Sequence, residues 1–190
     1  MLRIVRDGDQ ETVEVSGTAV FKSDKMVGEL DLTEGRGLAW VLGTVKSGVI
    51  VVRDTGNAPV SIEIIRTKAT VKPVLKDGKI AIRVDIFEEG NIGEDTGTKN
   101  LTKLSEVAFL ENGIAEAIGN EITAAIGKAR ALDSDIFGFG EAIRGKYPRQ
   151  WKEMEDNWDA LFKTVEIDLS VDANLRLAGK IAGPLVPEKG

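Results

Sequence analysis

The chain has 190 residues, 42% of them hydrophobic, with a formal net charge of −6 and a pI near 4.9. That length suits one domain with a sizeable core, and the acidic balance argues against a nucleic-acid surface, which needs a basic stripe to displace counterions from phosphates. Cys and His are both absent, which excludes disulfides, thiol nucleophiles, Ser-His-Asp and Cys-His catalysis and the usual transition-metal sites, and leaves chemistry to carboxylates, Lys, Tyr, Ser and Thr.

Residues 1–12 read as a polar lead-in or linker with no apolar h-region, and no stretch reaches the length of apolar sequence that spans a bilayer. Strand-type runs at 13–22 (VEVSGTAVFK) and 26–31 (MVGELD), joined by Ser23-Asp24-Lys25, predict a hairpin. Thr33 is a candidate N-cap, with Glu34 in the first turn of a short helix through Leu38, Trp40, Val41 and Leu42 that ends near Gly43. GVIVVR at 48–53 is a β-branched strand, and DTGNAP at 54–59 is turn chemistry. Ile80, Ile82, Val84 and Ile86 alternate with Ala81, Arg83 and Asp85, and Asp77-Gly78 before them predicts a tight hairpin with 60–75. The acidic stretch 88–95 (EEGNIGED) lacks EF-hand spacing and reads as a solvated loop.

From 101 to 132 the period changes to that of a helix. Leu104, Ala108, Ile114, Ile118, Ile122, Ala125, Ile126 and Ala129 share one face, with Asn112-Gly113 a candidate break. A second helical region follows Tyr147-Pro148, with Trp151, Met154, Trp158, Leu161 and Phe162 on one face, and Val165, Ile167, Leu169 and Val171 form a closing strand. Strands, then helices, then a strand predict an α+β fold over 13–182: an antiparallel sheet with a long helix and shorter helices packed on one face, followed by a tail at 183–190.

GEAIRGKY at 140–147 nearly matches a phosphate-binding loop, but Tyr147 stands where a small hydroxyl should ligate Mg²⁺, and no strand leads into it. Asp133, Ser134 and Asp135 are better suited to capping a helix than to holding a divalent cation. Phe137, Phe139, Tyr147, Trp151, Trp158 and Phe162 concentrate the aromatics of an aromatic-poor chain, either as a core cluster or as a partly exposed patch for a partner. Two facing carboxylates of a glycoside hydrolase are a tertiary feature, and no pair stands out.

An ordered set of blocks resembles the C-terminal domain of the Ger(x)C family of spore germination lipoproteins. The blocks are Gly17-Thr18-Ala19-Val20-Phe21-Lys22, Asp24-Lys25-Met26-Val27-Gly28, Arg36-Gly37-Leu38-Ala39-Trp40 and Asp135-Ile136-Phe137-Gly138-Phe139-Gly140, then Pro148, Trp151, Trp158 and the strand from Val165. The resemblance implies a non-enzymatic structural and interaction domain, the C subunit's part in assembling a nutrient germinant receptor or relaying its signal, with no cofactor and no metal. It implies two membrane-embedded subunits as partners and a place at the outer face of the spore inner membrane. Membrane contact would run only through a lipid anchor outside this chain, on a longer protein of which this is the C-terminal part. Asp135, Phe137, Phe139, Gly140, Pro148, Trp151 and Trp158 are the signature and candidate interaction residues. The alternative is a small-ligand-binding module with its pocket near the aromatic cluster at 137–162.

Overall fold

The computed structural model describes residues 2–8, 10–76 and 78–176. Asp77 of the expected hairpin turn, the last residues of the expected domain and the tail at 183–190 lie outside the described residues.

The lead-in holds a hairpin: β1 (Leu2–Asp7) pairs antiparallel with β2 (Gln10–Val15). The expected continuous strand 13–22 is interrupted after Val15, and β3 (Thr18–Lys22) pairs instead with β4 (Lys25–Leu30) across a Ser23-Asp24 turn. Gly17 makes that break, because a Cβ there would sit 2.2 Å from the Leu30 carbonyl oxygen and its φ of +155° disfavours a side chain. The first helix, α1 (Leu32–Val41), starts at an Asp31 cap rather than at Thr33. The Asp31 carboxylate accepts from the Glu34 amide at 2.7 Å and the Glu34 carboxylate from the Asp31 amide at 2.9 Å, a reciprocal capping box that satisfies donors Thr33 would leave open.

The main sheet runs β5 (Val49–Arg53), β6 (Pro59–Lys76), β7 (Lys79–Asp95) and β8 (Glu166–Arg176), in that order. Its pairs are antiparallel except β7 with β8, which run parallel. A parallel neighbour requires a long crossover, supplied here by α2 (Leu104–Ala131), α3 (Phe139–Lys146), α4 (Pro148–Met154), a 3-10 turn at Glu155–Asn157 and α5 (Trp158–Phe162). Lys76 pairs with Lys79, so β6 returns into β7 as an antiparallel hairpin, as the sequence predicts.

The stretch 88–95, read as a loop, instead continues β7. Gly90 and Gly93 leave room for β6 side chains; a Cβ on Gly90 would lie 2.6 Å from Ile62 Cγ2 and one on Gly93 3.0 Å from Glu63 Cγ. The charged residues hide the strand period, and bulges near Ser61 and Ile64 accommodate the register. Asn112-Gly113 does not break α2, since Gly113 lies against Val52. The core forms where Ile62, Ile82, Val84 and Ile86 of the sheet meet Leu110, Ile114, Ile118, Ile122, Ala125 and Ala129 of α2. Each isoleucine so buried contributes roughly 2 kcal/mol. The fold is the expected α+β arrangement, with helices on one face of an antiparallel-rich sheet.

Candidate functional site

The block Asp135–Gly140 folds onto one carboxylate. Asp135 Oδ1 accepts from the Phe139 amide at 3.1 Å, and Oδ2 accepts from the Gly140 amide at 2.7 Å and from the Trp158 indole N–H at 3.0 Å. The helix amides at the start of α3 are otherwise orphaned donors, so Asp135 caps that helix while tethering α5 to it. Gly138 turns the chain at φ 73°, and Gly140 lies inside α3 rather than in a turn. A Cβ on Gly140 would sit 2.8 Å from Trp158 Nε1 and 2.9 Å from the Trp151 ring. Only glycine admits both indoles.

Around this point the rings interlock. Phe137 stacks on Phe139 at 5.0 Å, Phe139 meets Phe162 at 6.3 Å, and Trp158 meets Phe162 at 6.1 Å and Trp151 edge-on at 5.5 Å. Pro148 opens α4, where its missing N–H costs nothing, and so fixes the helix that carries Trp151. The near-match to a phosphate loop is the helix α3 itself, with the Ala142 amide already donating to the Gly138 carbonyl.

The block Arg36–Trp40 builds a second clamp. Glu121 of α2 accepts from Arg36 Nε at 2.7 Å, from Nη2 of the same guanidinium, and from the Trp40 indole at 2.9 Å. Between them a Cβ on Gly37 would lie 2.0 Å from the Glu121 carbonyl oxygen, so α1 and α2 touch backbone to backbone. Sequence reasoning named Arg36, Gly37 and Trp40 but missed Glu121, whose one signal is a charge beside the apolar stripe of α2.

Glu88 is the opposite case. It is fully buried, and neither carboxylate oxygen has a hydrogen-bond partner. Burial first, and the charge of neighbouring Glu89 second, push its carboxyl up to about 7. Glu89 itself is held by Arg66 at 3.1 Å and Arg176 at 3.0 Å.

A cleft of about 750 Å³ opens where the end of the β6–β7 hairpin meets α4 and α5, lined by Lys76, Lys79, Met154, Leu161, Thr164 and Glu166 among others. Met154 and Leu161 of the 137–162 region line it but none of the six clustered aromatic rings does, and Lys76 pairs with Glu166 in its wall. Asp133, the other acid of the cap region, pairs with Lys163 at 2.6 Å. Among the described residues no three potential metal ligands come together, and no helix is long and apolar enough to cross a membrane.

The chain is 31% identical over 177 residues to the spore germination protein YndF of Bacillus subtilis (strain 168), covering 89% of this chain and 43% of that protein. It is 28% identical over 165 residues to spore germination protein B3 of the same organism, covering 85% of this chain and 43% of that one. It therefore spans less than half the length of these curated relatives. The crystal structure of the GerBC protein superposes with a TM-score of 0.76 at 24% identity, over 92% of this chain and 55% of that one, and shares the fold. Residues 16–179 match the family described as "Spore germination B3/ GerAC like, C-terminal". Both clamps fall within that span, and the chain belongs to this spore germination family.

Proposed function

We propose that the chain is a non-enzymatic interaction domain of a germinant receptor C subunit, acting in receptor assembly or in signal relay during germination. The observation that carries this reading is the use made of the signature. Asp135, Gly140, Trp151 and Trp158, like Arg36, Gly37 and Trp40, are engaged in joining helices. Residues so engaged hold the helices in a fixed arrangement, which suits a docking body. Its partners are the two membrane-embedded receptor subunits, and a longer parent protein holds it by a lipid anchor at the outer face of the spore inner membrane. Binding of the chain to those subunits, together with loss of nutrient-triggered germination when the domain is deleted, is the expected result. Absence of both would sink the proposal.

The cleft beside α4 and α5 favours a second reading, a small-ligand module, since about 750 Å³ lies within the range of small-molecule sites. A thermal-shift screen of amino acids, sugars and nucleotides tests it, because a ligand that binds only the folded chain raises Tm.

A further inference from the structure

The two edges of the main sheet differ. The outer edge of β8 carries Glu166, Asp168 and Asp172, exposed charges of the kind that discourage another strand from pairing. The outer edge of β5 has no such guard between Val49 and Val52, and its Val49 and Val51 are 48% and 62% exposed. The ladder fixes which backbone groups point outwards. The Ile64 amide donates to the Gly48 carbonyl and the Asp54 amide to the Ala58 carbonyl, with Ile50 opposite Ile62 and Val52 opposite Val60. Alternation then turns the N–H and C=O groups of Val49, Val51 and Arg53 away from β6. The Val49 carbonyl is already taken by Arg36 Nη1 at 3.2 Å.

Beside this edge α2 leaves room. Phe109, Gly113, Glu116, Ala117 and Asn120 face Val51, Val52 and Arg53 across a groove of about 290 Å³, and Phe109 is 47% exposed. Small residues at 113 and 117 hollow the helix face above the strand edge.

The geometry points to β5 as an acceptor for one extended segment of a partner protein, added as a fifth strand to the main sheet. For a segment running parallel to β5, strand alternation specifies the order of its residues. The residue opposite Val51 is apolar and lies against its exposed side chain. The next residue enters the groove between Phe109 and Ala117 and is also apolar. The one after stands opposite the exposed Arg53 and is acidic. A second copy of the chain fits poorly, because pairing two β5 strands about Val51 requires the Val49 carbonyl that Arg36 holds and brings Arg53 against the other copy's Arg36. This deepens the interaction reading and rests on it only for the partner's identity.

The probe is a labelled synthetic peptide with Ile-Leu-Glu centred between threonines, and its control carries Lys in place of Glu. Fluorescence anisotropy should show saturable binding of the first and several-fold weaker binding of the second, with slower amide exchange at Val51 and Arg53 on binding. Val51→Pro removes an outward N–H without touching the β6 ladder, a position where proline is tolerated, and should abolish binding while leaving the far-UV circular dichroism unchanged. Arg53→Glu should reverse the preference between the two peptides. The proposal is overturned by no binding at millimolar peptide, by equal affinity for both peptides, by binding that survives Val51→Pro, or by a concentration-dependent dimer that Val51→Pro dissolves. Failure here leaves subunit binding as a separate question, and failure of subunit binding leaves the edge chemistry intact.

Discussion

Asp135 and Glu88 are both acids placed against the core, and they answer the cost of burial in opposite ways. Asp135 collects three N–H donors from two helices. Glu88 has none, and remains protonated over much of the acidic and neutral range. A carboxylate surrounded by donors is a joint, because its charge is stabilised only while the donors hold their places. A carboxyl with no donors ties nothing together and makes stability depend on its proton.

Removing the joint should have the largest effect. Asp135→Ala leaves the Trp158 indole and two helix amides without their acceptor, and a loss of about 4 kcal/mol is expected in urea unfolding, given charge-assisted hydrogen bonds of about 1.5–3 kcal/mol each with partial rescue by water. Asp135→Asn, which keeps one acceptor oxygen, should fall between. A near-silent Asp135→Ala would show that the aromatic packing alone holds α5.

How much of this contrast is legible in the sequence depends on chain distance. The Asp135 cap lies four and five residues from its amide donors, and short-range capping chemistry already names it, beside Asp133 and Ser134, as a candidate. The aromatic cluster shows as a local excess of rings. Glu121 lies 85 residues from Arg36, so nothing local marks it as a partner. Glu88 is hidden for another reason: a charged residue in EEGNIGED reads as solvent-facing, and only the long pairing of β7 with β6 and β8 takes it inside. The parallel sense of β8 was equally out of reach, since strand period carries no direction.

Glu88 supplies the second effect. Its folded carboxyl titrates near 7 against an ordinary 4.5, so between those values the folded state binds more protons than the unfolded one. Stability therefore falls as pH rises through this window, and the cost, about 3 kcal/mol from the size of the shift, is fully present above pH 7. Glu88→Gln should be more stable than the parent at pH 8, with a difference that vanishes towards pH 4.5. Parallel melting curves of the two at pH 5 and pH 8 make the check; a constant gap would mean that Glu88 finds donors when ionised.

Glu121→Gln comes third, at about 2 kcal/mol, because the amide can still accept from Trp40 while losing the guanidinium's charge. The loss should be detectable as easier proteolysis of α1 before global unfolding, since Glu121 joins α1 to α2 while Arg36 reaches the sheet separately, at the Val49 carbonyl.

The smallest effect separates two glycines that sequence alone treats alike. Gly37 and Gly113 both sit inside helices, yet a Cβ at Gly37 would strike backbone at 2.0 Å and one at Gly113 would meet Val52 at an ordinary 3.6 Å. Alanine at 113 should thus gain up to about 1 kcal/mol of helix propensity, as alanine at Gly119, which faces open space, should also do. The two gains differ in consequence. Gly119→Ala adds its methyl away from the groove, whereas Gly113→Ala narrows the space beside β5. If β5 takes a strand, Gly113→Ala should melt higher and bind the Ile-Leu-Glu peptide less well, while Gly119→Ala should melt higher and bind it equally. Equal binding by both would mean that the hollow above the edge plays no part in admitting the partner side chain.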